Sequence, residues 1–106
     1  MAKKMTHVYK QVNRALTGAQ IRAARALIRW SAEDLSRESA VSARTIHRAE
    51  LTDHETSMTV ANDLAVRRAL EAAGVEFIDE NGGGPGVRLR AAARQTGPKA
   101  RQKTSP

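Results

Sequence analysis

The chain is expected to be a mainly α domain closed by a short β-hairpin and flanked by flexible basic tails. Three observations predict this. Trp, Tyr and Phe occur once each among 106 residues, although 41 % are apolar. The core must then be built from Leu, Ile, Val and Ala, which suits packed helices better than a β-sandwich. Helix caps followed by helical apolar spacing recur four times between residues 17 and 74. After Gly74 the pattern changes to strand-like alternation and then to a glycine run. The length suits one small core. The expected divisions are a basic extension at 1–15, a helical domain at 16–74, a strand or hairpin at 75–90 and a disordered basic tail at 91–106.

The first helix is announced by Thr17-Gly-Ala-Gln20, a capping box with a hydroxyl at the N-cap and an amide three residues later. Ile21, Ala24, Leu27 and Ile28 follow as one apolar stripe, with Arg22, Arg25 and Arg29 mostly off it. Trp30 ends the helix and is expected as a core anchor. Ser31 caps a second helix, about 32–39, with Glu33 and Asp34 where the helix dipole favours negative charge. Ser42 caps a third, with Ile46 and Ala49 inward and Arg44, Thr45, His47 and Arg48 mostly outward. Only Ala40 and Val41 separate the second helix from the cap of the third, and so short a link forces the sharp angle of a helix-turn-helix.

Residues 52–58 read as a polar loop. Thr59 caps a fourth helix, about 60–73, with Val60, Leu64, Arg67 and Leu70 on successive turns. Gly74 suits a left-handed helix end. Val75-Glu76-Phe77-Ile78 reads as a strand, 82–86 must turn, and 87–89 is positioned to return. The glycine run is no phosphate loop, because no Gly-Lys-Ser/Thr follows it.

The net charge is +7, unevenly spread. Residues 1–16 carry four positive charges and no acid, 17–51 are net +2, 52–81 net −5, and 82–106 carry six positive charges and no acid. Such a balance points to a polyanionic partner, nucleic acid first. With no Cys, disulfide and thiol chemistry are excluded. No apolar run approaches the roughly 18 residues of a membrane helix, and no signal-peptide pattern follows the basic start. His7, His47 and His54 lack metal-ligand spacing, and no nucleophile–base arrangement stands out. The expectation is a cytoplasmic, nucleoid-associated protein with no metal, no cofactor and no enzymatic activity.

The stretch LTGAQIRAARALIRWSAEDLSRESAVSARTIHRAE resembles the DNA-binding domain of the XRE (phage Cro/repressor-like) helix-turn-helix regulators. RRALEAAGVEFIDENGGGPGVRLR resembles the C-terminal part of the short single-domain bacterial members. The resemblance covers roughly residues 16–90 and implies a compact four- to five-helix repressor-like domain. In its motif Ala32 opens the first helix and Leu51 ends the second. The inner positions are Leu35, Ser39, Val41, Ile46 and Ala49, and Ser36 is the small residue at the crossing. The chain departs from the pattern in having Ala40 where Gly is usual at the turn, at roughly 1 kcal/mol of strain. It also has Ala32 where a phosphate-bracing Gln is frequent.

The implied function is a sequence-specific regulator of transcription, a repressor or autoregulator, binding double-stranded DNA as a homodimer. Its base contacts would be Ser42, Ala43, Arg44, His47 and Arg48. Arg44 suits guanine, a pairing worth about 1–3 kcal/mol of discrimination. Phosphate contacts would be Ser31, Ala32 and Thr45, with Arg22 and Arg25 less central. Val75, Phe77, Ile78, Val87 and Leu89 are candidates for dimerisation, against the alternative of a hairpin that simply covers the helices. Two other functions fit the same residues. One is a protein–protein module whose acidic face, about 53–80, engages a second regulatory protein, as an anti-activator or antitoxin does. The other is a nonspecific nucleic-acid binder driven by the basic ends.

Overall fold

The structure, a computed structural model, describes residues 16–90. The expected extension at 1–15 and tail at 91–106 lie outside the described residues. Four helices are followed by a two-stranded antiparallel hairpin: α1 Gly18–Ile28, α2 Ala32–Ser39, α3 Ala43–Ala49, α4 Val60–Ala72, β1 Val75–Ile78 and β2 Gly86–Leu89. The mainly helical architecture with a closing hairpin is therefore as expected.

Local side-chain chemistry starts every helix. Thr17 Oγ1 accepts from the Gln20 N–H at 3.0 Å, and Gln20 Oε1 accepts from the Thr17 N–H at 3.0 Å. Ser31 and Asp34 close a second reciprocal box at the head of α2. Ser42 Oγ caps α3 through the Thr45 N–H, and Thr59 Oγ1 caps α4 through the Asn62 N–H. Two helix ends use non-glycine residues in the left-handed region, Arg29 (φ 59°) and Ala40 (φ 64°). Gly74, at φ 107°, turns the chain from α4 into β1.

The core is formed by Leu16, Ile21, Ala24, Ile28, Trp30, Leu35, Val41, Ile46, Val66, Leu70 and Val75, with smaller alanines between them. α2 packs on α3 and α4, and the hairpin lies over α1 and α4. The loop after α3 is strapped to the start of α1. The Gly18 N–H donates to His54 O at 2.9 Å and the Thr56 N–H to Leu16 O at 2.9 Å.

Three expectations about faces need correction. Leu27 is 40 % exposed and lies off the buried stripe, which is closed by Leu16 and Trp30 instead. α4 buries Asp63, Val66, Ala69 and Leu70; Val60 is exposed and Leu64 only half-buried. Asp63 lies on that buried face with its carboxylate satisfied by Thr56 Oγ1, which donates to Asp63 Oδ1 at 2.8 Å.

The third correction concerns the hairpin. Its register pairs Val75 with Leu89, Glu76 with Arg88, Phe77 with Val87 and Ile78 with Gly86. Side chains alternate across a strand, so Val75, Phe77, Val87 and Leu89 share one face. That face is packed on the helices: Val75 belongs to the core and the other three lie against it. Of the candidates for dimerisation, Val75 is thus buried in the protein's own core, Phe77, Val87 and Leu89 are half-buried against it, and Ile78 lies on the opposite face. The Gln20 side chain fastens the hairpin to α1 by donating to Gly86 O at 3.1 Å.

Candidate nucleic-acid interface

Residues 16–90 contain ten Arg, no Lys and eleven carboxylates, a net charge of −1. The chain's positive excess therefore lies entirely in 1–15 and 91–106. What residues 16–90 offer to an anion depends on which arginines are already engaged.

Six are. Arg22 Nη2 donates to Asp53 Oδ1 at 2.5 Å and Arg22 Nη1 to Glu50 O at 2.6 Å. Arg25 grips both Glu50 carboxylate oxygens at 2.7 Å and donates to Trp30 O at 2.9 Å. Arg37 pairs with Asp34, Arg67 with Glu71 and Arg88 with Glu76. Arg90 donates to Glu71 O at 2.8 Å. Among the described residues Arg29, Arg44, Arg48 and Arg68 have no such partner, and two of these four stand on α3.

The ion pairs leave matching marks on protonation. The Glu50 hydrogen bond raises the Arg25 value further above its already high one. The Arg22 hydrogen bond holds Asp53 below the ordinary carboxylate range, and Arg88 does the same for Glu76.

Of the expected base contacts, Ser42, Arg44, His47 and Arg48 are exposed and Ala43 is half-buried. Ser42 Oγ accepts from the Thr45 N–H at 3.1 Å and donates to Thr45 Oγ1 at 2.9 Å, so its hydroxyl proton is in use. His47 Nε2 lies 3.9 Å from Glu33 Oε2 across the α2–α3 angle.

The expected phosphate contacts fare less evenly. Ala32 is buried and presents no side chain outward. At the start of α2 the Asp34 carboxylate already accepts the Ser31 N–H at 2.9 Å. That bond is the main reason Asp34 is held below its ordinary value, and Glu33 adds a second negative charge beside it. The Ser31 N–H is therefore already taken by Asp34, itself paired with Arg37, and is not open to a phosphate. Arg22 and Arg25 are withdrawn because their donors are used inside the protein. Thr45 stays in place, half-buried beside Arg48.

A set of polar groups that periodicity does not reveal lies next to α3. Thr45, Arg48 and Ala49 face Ser57, Met58, Thr59 and Asn62 across an open cleft of about 200 Å³. One wall is α3; the other is the end of the polar loop and the first turn of α4. The only sequence signal is Thr59 as a cap directly after that loop. The nearby Asp63, the one acid in the first turn of α4, is turned into the core. The first turn of α4 itself thus carries no exposed carboxylate, unlike that of α2.

Among the described residues no helix is long and apolar enough to cross a membrane, and no group of three or more His, Asp or Glu is placed to hold a metal ion. No family model matches the chain, and no curated protein matches it in sequence at a significant level.

Proposed function

We propose that the chain is a sequence-specific, double-stranded-DNA-binding regulator of transcription, of the helix-turn-helix type, that presents α3 to the major groove. The observation carrying this reading is the inequality among the arginines. Six of ten are consumed internally, while Arg44 and Arg48 stand on the exposed face of the seven-residue α3 without any partner among the described residues. An unpaired guanidinium fork on a protruding helix is the donor set that guanine O6 and N7 accept. The three-residue link from Ser39 to Ala43, with Ala40 left-handed, supports the helix-turn-helix assignment.

In this reading Arg44 reads a base, Ala43 and His47 flank it, and Arg48 with Thr45 turns to the phosphates. The cleft formed with Ser57, Thr59 and Asn62 seats one phosphate against hydroxyl and amide groups. Residues 16–90, at net −1, supply little long-range attraction. The eight cations of 1–15 and 91–106 supply the sequence-independent share of affinity. One module of this size buries too little surface for tight binding alone, so two copies on half-sites one helical turn apart complete the complex.

Selection of binding sequences from random duplexes tests the proposal. A defined consensus is expected, and Arg44→Ala should weaken binding to it roughly 10- to 100-fold, the size of one bidentate base contact. Equal binding to selected and scrambled duplexes would sink the reading in favour of a nonspecific binder. A consensus indifferent to Arg44 would remove α3 from the groove.

A further inference from the structure

α3 has seven residues, too few to keep its shape or direction unaided, so both its ends must be held. Its N-terminal end is held by Ser42. Its C-terminal end has no left-handed glycine; it stops at Glu50, a residue 9 % exposed. Two guanidinium groups, one turn apart on α1, converge there. Arg25 Nε and Nη2 each reach one Glu50 carboxylate oxygen at 2.7 Å, and its Nη1 ties the same cluster to Trp30 O between α1 and α2. Arg22 Nη1 takes the Glu50 backbone oxygen at 2.6 Å and Thr52 O at 3.3 Å. Glu50 is thus held by its side chain and its backbone at once, from one face of one helix.

We propose that this clasp sets the angle at which α3 leaves the body, and that Arg25 and Glu50 serve recognition as positioning residues without touching the duplex. The inference rests on the DNA reading of α3 for its functional consequence. Arg44 lies six residues before Glu50, about 9 Å along the helix axis. A tilt of ~10° about Glu50 would move it by about 1.6 Å, more than a base hydrogen bond tolerates. A bidentate fork resists such a tilt; a single ammonium on a flexible stem does not. Arg25→Lys therefore keeps the charge and loses the angle.

Two measurements on the full chain decide this. The first compares affinities for the selected and a scrambled duplex in wild type, Arg25→Lys, Glu50→Gln and the double variant. Each single variant should lose tenfold or more on the selected duplex and less than twofold on the scrambled one, with the double variant no worse than either. If Arg25→Lys costs as much in the Glu50→Gln background as alone, Arg25 meets phosphate itself and the proposal falls. Full retention of discrimination in both singles overturns it as well.

The second measurement needs no DNA. Amide hydrogen exchange in Glu50→Gln should accelerate over residues 43–51 at least tenfold more than in α4 or the hairpin. Uniform acceleration would show plain loss of global stability and would overturn the clasp. Should the wild-type chain select no sequence, the DNA reading fails, and the exchange pattern still decides whether Glu50 holds α3.

Discussion

Gly18 and the Thr52 carbonyl are in such close apposition that a Cβ on Gly18 would stand 2.0 Å from the Thr52 oxygen and 2.5 Å from that of Ala49. Both obstructing atoms are backbone, at the point where the end of α3 and its following loop cross the first turn of α1. Neither can step aside as a side chain can. Gly18→Ala should cost at least about 3 kcal/mol, the upper range for forcing extra volume into a packed site. Urea unfolding measures it, and an unchanged midpoint would mean that the crossing is loose enough to admit a methyl group.

Ala40 sits at φ 64° and ψ 18°, a conformation that disfavours any residue with a Cβ. Ala40→Gly removes that strain and adds chain entropy to the unfolded state, which offsets part of it, for a net gain of about 0.5 kcal/mol. In a domain of this size that is about 2–4 °C in Tm by thermal denaturation. A fall in Tm would show that the α2–α3 link does not hold the left-handed geometry.

Asp63 contributes to stability in the opposite sense to Asp34, Asp53 and Glu76. Burial raises its value above the ordinary one, against the hydrogen bond from Thr56 that favours the charged form. A carboxyl raised on folding stabilises the protein while protonated, and that contribution is lost as pH rises through the folded-state value. Asp63→Asn, which can still accept from Thr56, should therefore melt higher than wild type at pH 7. The gap should close at pH below the ordinary carboxylate value. Melting curves from pH 3 to pH 7 give the result; a constant gap would mean that Asp63 does not titrate in the folded range.

The free arginines should separate by position. Arg48→Ala, facing the phosphate cleft, should weaken selected and scrambled duplexes by similar factors and lower the salt slope by about one ion. Arg68→Ala, on the exposed side of α4, should change neither by more than about twofold. Gel-shift titrations at several salt concentrations show both. Equal losses from the two variants would mean that only net charge matters.

Interactions that close within three or four residues were legible without coordinates. Thr17 with Gln20, Ser31 with Asp34, Ser42 with Thr45 and Thr59 with Asn62 are i,i+3 pairs. They place the four helix starts where the sequence reading expects them. The strand at 75–78 follows from alternation, and its return was anticipated to within one residue. The faces were less legible. Leu27 is apolar and helically spaced yet exposed, and Asp63 is charged yet buried. Asp63 finds its partner in Thr56, a loop residue that carries no periodic signal.

The division between sequence and fold is sharpest among the arginines. Caps, periodicity and glycine placement are local properties of the chain, and they specified a mainly helical domain with a hairpin, with α3 bearing two outward cations. Which cations stay free was decided only by folding. Arg25 meets Glu50 across 25 residues and Arg22 meets Asp53 across 31, distances in sequence over which no spacing rule operates. Close packing brings those charges together, engages six of ten guanidinium groups, and leaves Arg44 and Arg48 facing outward on α3.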